Sequence, residues 1–223
     1  MPANIEKYQA ILHELNQQNV QLIAVSKTKP NEDILDLYEL GQRAFGENYV
    51  QELVDKAAQL PTDIQWHFIG HLQSNKVKYI APFVHLIHGV DSEKLLQEIN
   101  KQAIKQNRTI GCLLQVHIAT EETKFGFDAD SISELIQSGR LAHYSNIRIK
   151  GLMGMASFSE DTSLLTKEFS TLKQIYDLSA IQLGSDFNTL SMGMSSDYAL
   201  AISLGSNMVR IGSLLFGARN YSK

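Results

Sequence analysis

Lys27 stands in the run AVSKTKP (24–30), at the close of the apolar, β-branched stretch QLIAVSKT (21–28). Side chains alternate along a strand, so Ile23, Val25 and Lys27 share one face. If that face points inward, burial penalises the ammonium and moves the amine toward its neutral form. A neutral amine in a concave site is the nucleophile that adds to an aldehyde. A solvated lysine at a strand end is the plainer reading of the same residue. Lys29 precedes Pro30, is therefore extended, and reads as a rim charge. Two further runs, SMGMSSD (191–197) and RIGS (210–213), carry glycines and hydroxyls where strands end. Backbone N–H groups, a helix dipole and serine hydroxyls together attract an anion. Gly212 allows close backbone approach, and Ser213 offers an N–H and a hydroxyl. Residues 195–197 alone could simply cap a helix. With both loops in agreement, a phosphate is the better occupant.

A small phosphorylated carbonyl compound fits between such a lysine and such a grip. Pyridoxal phosphate is one candidate, and a sugar phosphate held by a Schiff-base aldolase is another. Arg210 bears on the choice, because arginine stays charged and only donates. Aimed at a pyridine nitrogen, it keeps that nitrogen an unprotonated acceptor, and the ring becomes a weak electron sink. A salt bridge to a neighbouring carboxylate is the competing role. The histidines offer less. His67 and His71 are four apart, His85 and His88 three apart, and neither pair makes a metal-ligand pattern. They read as structural or surface residues, and no metal is expected. Cys112 lies in an apolar run and reads as a small core residue; Trp66 reads as packing.

These residues need a scaffold. Short apolar runs recur at 21–28, 44–48, 65–70, 85–91, 111–119, 148–156, 189–194 and 207–213, with helical periodicity between them. A further helix precedes the first strand, with Ile5, Tyr8, Ile11, Leu12 and Leu15 on its face. Asn31 is positioned to cap the second helix and Gly41 to end it. A later helix is expected over 162–178. Strands alternating with helices imply a parallel sheet, and eight such units in 223 residues imply a single-domain (β/α)8, or TIM, barrel with an extra N-terminal helix. An open doubly wound sheet is the alternative, but no G-x-G-x-x-G follows the first strand. In a barrel, chemistry collects where strands run out into loops, where Lys27, Asn48, Ser195, Gly212 and Ser213 all fall.

Composition narrows the class. Hydrophobic residues make up 43% and charged residues 20%, ordinary values for a globular chain. Twenty Lys+Arg against 24 Asp+Glu gives a net charge of -4, without the basic excess of a nucleic-acid coat. No apolar run is long enough to span a membrane and no signal peptide is visible. One cysteine permits no internal disulfide and fits a reducing, cytoplasmic setting.

The motifs AVSKTKP (24–30), FGENYVQE (45–52), WHFIGHLQSNK (66–76), GLM (151–153), LSMGMSSD (190–197) and VRIGSLLFGAR (209–219) together resemble the pyridoxal phosphate homeostasis family, single-domain relatives of alanine racemase. The resemblance runs nearly end to end and implies a fold-type-III barrel binding pyridoxal 5'-phosphate. It implies that Lys27 holds the cofactor as a Schiff base and that Arg210 faces the pyridine nitrogen. Ser191, Gly212 and Ser213 match phosphate-binding positions, with Ser195 beside them; Asn48 lines the same mouth. Asn75 lies in a family motif without a derivable role. The chain departs from the family pattern at His71 and Ala156, where proline is usual, and at His117, where asparagine is.

The resemblance implies a carrier acting in vitamin B6 homeostasis, with no catalytic residue, and PLP-dependent apoenzymes as partners. The alternative is an amino acid racemase. That chemistry needs a proton donor on each face of the cofactor, and alanine racemase takes its second donor from a C-terminal domain that is not expected here. Tyr49 is the in-barrel substitute to examine. A monomer is expected.

Overall fold

The computed structural model describes residues 3–120 and 125–217. Ala218 and Arg219, the end of the last family motif, lie outside them. Eight parallel strands close into a barrel in simple sequential order: β1 (Gln21–Val25), β2 (Ala44–Glu47), β3 (Gln65–Phe68), β4 (Leu86–Val90), β5 (Ile110–Gln115), β6 (Ile147–Met153), β7 (Thr189–Met194) and β8 (Met208–Ile211). β1 pairs with β8, Ile23 opposite Arg210, and this closes the ring. The helices are α1 (Ile5–Gln17), α2 (Asn31–Glu39), α3 (Val50–Gln59), α4 (Val77–Ile80), α5 (Glu93–Lys105), α6 (Ala129–Gln137), α7 (Thr162–Leu183), α8 (Tyr198–Ser203) and α9 (Ser213–Phe216).

Alternation sorts the side chains into two cores. Ile23, Ala44, Leu86, Leu113, Met153 and Met208 form one layer inside the barrel. Leu22, Ala24, Phe45, Trp66, Phe68, Cys112, Leu152 and Val209 face outward and pack under the helices. Cys112 is buried there, and desolvation raises its thiol pKa, as expected of an inert core residue. The N-terminal helix is capped by Asn4, whose side chain accepts from the Lys7 amide at 3.0 Å. It is tied to the end of the barrel by a backbone bond from Asn4 to the Leu215 carbonyl, 2.7 Å.

Several boundaries differ from the sequence expectation. The first strand stops at Val25, because the Lys29 amide turns back to the Ser26 carbonyl at 3.0 Å. β5 stops at Gln115, where Phe127 folds back and donates to the Gln115 carbonyl at 2.8 Å. Asn31 does not cap α2. Pro30 occupies the cap position without a side-chain bond, and Asn31 donates instead to Gln59 at the end of α3, 3.0 Å away. Gly41 does end that helix, at φ +97°. α7 continues past 178 to Leu183, where Gly184 at φ +78° stops it.

Candidate functional site

The C-terminal mouth of the barrel holds a cavity of about 380 Å³. Lys27, Asn48, Ser195, Arg210, Gly212 and Ser213 all line it. The parity read from the sequence holds for Ile23 and Val25, and Lys27 reaches the cavity from the turn beyond the end of β1. Ile23 lies in the inner layer, Val25 one step higher on the cavity wall, and Lys27 at its rim.

Lys27 sits in a turn rather than a strand, and its two neighbours are pinned. The Ser26 hydroxyl donates to Glu47 at 2.6 Å, and the Ser26 carbonyl accepts from Lys56 at 2.8 Å. The Thr28 amide donates to Glu52 at 2.6 Å, with Thr28 at φ +63°. Lys56 also bridges Glu47 at 2.8 Å and Glu52 at 2.7 Å. Burial pushes the Glu47 carboxyl upward, while the Lys56 charge and hydrogen bonds from Lys56 and Ser26 pull it back. The sequence reading missed this buried network. Its faint signal is the i, i+4 pair Glu52 and Lys56 on α3. Lys29, expected at the rim, reaches into the structure and donates to the Phe216 carbonyl at 2.6 Å, tying the Lys27 turn to α9.

Arg210 rises from β8 and is only 4% exposed. Its guanidinium donates to the Ser191 carbonyl at 2.9 Å, the Ser191 hydroxyl at 2.6 Å and the Gly154 carbonyl at 3.0 Å. Those acceptors are neutral, so among the described residues the salt-bridge role does not arise. Desolvation lowers its pKa to about 10, with Asp197 opposing, so it remains a cation at neutral pH. Arginine carries five N–H donors and three are committed here, which leaves donor capacity toward the cavity that Arg210 lines.

Ser191 needs a correction. Expected at a phosphate, it is fully buried below the cavity and absent from its lining. Its inward position on β7 puts its hydroxyl under Arg210, so it orients that guanidinium. The opposite wall is built by Ser195, Gly212 and Ser213. The Gly212 amide donates to the Ser195 hydroxyl at 3.2 Å, which joins the β7 and β8 loops. A Cβ on Gly212 would lie 3.2 Å from both Cβ and the carbonyl oxygen of Val25, so glycine lets the two backbones approach. α9 begins at Ser213, which puts its leading amides at the cavity edge.

Asn48 lies past β2, over Gly70, where a Cβ would come 2.9 Å from the Asn48 Cα. Its Oδ1 is buried without a hydrogen-bond partner. That orphaned acceptor on the cavity wall is what a ligand would satisfy. An aldehyde-reactive amine, a donor-only cation on the floor and a wall of amide and hydroxyl groups suit the three functional parts of pyridoxal phosphate. Tyr49 is 57% exposed and lines, with Val50, Val54 and His71, an adjoining groove that shares Asn48 with the cavity. Asn75 is exposed and outside the cavity. His71 joins two loops: its Nδ1 lies 3.0 Å from Asp91, and its ring stacks on Phe125 at 3.8 Å.

Among the described residues, no cluster suited to a metal occurs and no helix is long and apolar enough to cross a membrane. Comparison with known proteins agrees with the fold and extends it. The Pasteurella multocida protein named pyridoxal phosphate homeostasis protein is 39% identical over 208 residues, 92% of this chain and 88% of that protein. PipY of Synechococcus elongatus without PLP superposes with a TM-score of 0.89 at 34% identity, covering 95% of this chain and 99% of that one. PipY with PLP bound gives 0.81 at 35% identity, covering 92% and 98%. Alanine racemase from Streptomyces coelicolor shares the fold at a TM-score of 0.77 and 13% identity; the match covers 96% of this chain and 58% of the racemase. The family described as alanine racemase, N-terminal domain, matches residues 1–220, and the chain belongs to it.

Proposed function

We propose that this protein binds pyridoxal 5'-phosphate in the cavity at the C-terminal mouth and serves intracellular vitamin B6 homeostasis as a carrier. The observation that carries this reading is the convergence of Lys27, Arg210, the Ser195–Gly212–Ser213 wall and the unpartnered Asn48 Oδ1 on one cavity. The name of the Pasteurella relative and the PLP-bound structure of PipY support it. When bound, the cofactor supplies an aldehyde for the Lys27 amine and a phosphate monoester for the opposite wall.

The chain's own residues do the rest. The Lys56 network fixes the Lys27 backbone from both sides. Ser191 and the Gly154 carbonyl hold Arg210 flat at the floor, where a permanent donor keeps a facing ring nitrogen unprotonated. Ser195 and the amides of the last two loops receive the anionic end. Asn48 Oδ1 accepts from a polar substituent of the ring. A donor-only cation at the ring nitrogen favours holding the cofactor over activating it. Tyr49 does not line the cavity but an adjoining groove across Asn48, which weighs against the racemase alternative. The buried thiol of Cys112 suits a reducing, cytoplasmic setting. The protein acts as a monomer that releases its cofactor to PLP-dependent apoenzymes.

Borohydride reduction of the loaded protein, followed by peptide mass analysis, is expected to place the adduct on Lys27. An unmodified Lys27, or equal labelling of Lys27→Ala, defeats the reading. Incubation with single enantiomers of several amino acids tests the racemase alternative; turnover above Lys27→Ala would establish it. Light scattering reports the oligomeric state, and activation of an apoenzyme by loaded protein, compared with free cofactor, reports transfer.

A further inference from the structure

Inside the barrel, a line of polar groups leads downward from Arg210. Arg210 donates to Ser191 Oγ at 2.6 Å, Ser191 Oγ lies 3.3 Å from His88 Nδ1, and His88 Nε2 lies 2.9 Å from His67 Nδ1. Arg210 can only donate, so Ser191 Oγ accepts from it, and the polarity that leaves the fewest buried groups unmet sets the rest. In that polarity Ser191 gives its own proton to His88 Nδ1. His88 then carries its proton on Nε2 and gives it to His67 Nδ1. His67 is left with its proton on Nε2, and that nitrogen is buried with no hydrogen-bond partner. The reverse polarity strands the Ser191 proton and leaves His67 Nε2 an empty acceptor. That makes two unmet groups instead of one, and each unmet buried group is costly. Both histidines are neutral in this chain, since burial drives their pKa values down, that of His67 to about 3.

His67 borders a second cavity, of about 290 Å³, at the N-terminal mouth of the barrel, opposite the cofactor site. His85, Thr109, Arg148, Lys150 and Thr189 also line it, and no acidic residue does. Arg148 and Lys150 both reach this cavity from β6. Among the described residues, neither makes an ion pair or a side-chain hydrogen bond. Two cations without an ion-pair partner, the Thr109 hydroxyl and an unfilled N–H donor form a set suited to an oxyanion, while the Thr189 hydroxyl already donates to Asn188 Oδ1 at 3.2 Å. Arginine's fork matches the oxygens of phosphate or carboxylate.

We infer that the N-terminal mouth is a second ligand site, which takes a small molecule bearing a phosphate or carboxylate group and holds it on Arg148, Lys150 and His67. The inference goes beyond the cofactor reading and does not depend on it, so it is tested on protein to which no pyridoxal phosphate has been added.

Ring ¹⁵N spectra of histidine-labelled protein would be followed during titration with inorganic phosphate and, separately, with succinate, at constant ionic strength. A saturable shift of the His67 and His85 signals is expected with at least one probe. Response to phosphate alone identifies a phosphate ester as the natural occupant, and response to succinate alone a carboxylate. The double variant Arg148→Gln/Lys150→Gln is expected to bind at least about tenfold more weakly, from the loss of two charge-assisted contacts. Lys150→Met, which keeps the apolar stem, serves as a second variant if the double variant loses its far-UV circular dichroism. Absence of a saturable shift with either probe overturns the inference. An undiminished response in the folded variants also overturns it, because phosphate would then be sitting in the upper cavity.

Discussion

Lys27 owes its position to residues that never touch the cavity. Lys56 is 5% exposed and neutralises Glu47, which is fully buried, while gripping the Ser26 carbonyl. Removing one partner of a buried pair leaves an uncompensated charge. Lys56→Met is therefore expected to cost about 3–5 kcal/mol in urea unfolding. Lys56→Met/Glu47→Gln should recover part of that loss, and a double mutant as unstable as the single would show that the ion pair is not the cause. Asn48 tests the other side of the site. Asn48→Ala removes the orphaned acceptor, so the folded protein should gain slightly or stay level in stability. Retention of pyridoxal phosphate, followed by absorbance during dialysis, should weaken by about tenfold, the worth of one good hydrogen bond. Unchanged retention would remove Asn48 from the site.

At the scale of the element, β6 carries the barrel's most demanding irregularity. Cys112 of β5 pairs with Ile149 and Leu113 with Gly151, so Lys150 is an extra residue in the ladder. The bulge resets the alternation. Arg148 and Lys150 face the lower cavity, and Met153 rejoins the inner layer. Gly151 makes this possible at φ +156°, with the position of its absent Cβ filled by the Thr189 carbonyl oxygen. Gly151→Ala must push β7 away, and β7 carries Ser191. The expected outcome is a loss of more than about 3 kcal/mol or insoluble expression. A variant with an unchanged melting temperature would show that the strand can slide without cost.

Across the whole molecule, the barrel interior is a polar seam set in an apolar layer, and this makes stability depend on pH. The His67 pKa falls from 6.5 to about 3 on folding, because burial penalises the cation. Below 6.5 the unfolded chain takes up a proton that the folded chain refuses, so stability falls with acidification from 6.5 toward 3. At about pH 5, His67 alone should account for about 2 kcal/mol of lost stability, and His88 adds in the same direction. Urea unfolding at pH 7 and pH 5 reads this. A flat profile would mean that a histidine is charged or solvated inside the barrel. Much of this architecture was legible in the chain. Eight apolar runs with helices between them imply a closed parallel sheet, because each parallel connection needs a crossover. The end of the first apolar run marked Val25 and Lys27 for one wall, and the serine- and glycine-bearing ends of β7 and β8 marked the opposite one. Those are local properties, written in neighbouring residues. The partners of Arg210, the meeting of His67 with His88, and the Glu47–Lys56 pair under Ser26 were not legible. They depend on which residues of different strands stand at the same height, and barrel stagger and the bulge at Gly151 set that height. Sequence alone thus determined the type of the main elements and, on the regular parts of the strands, the face each residue takes. Tertiary structure decided the pairings, because register exists only once the barrel is closed.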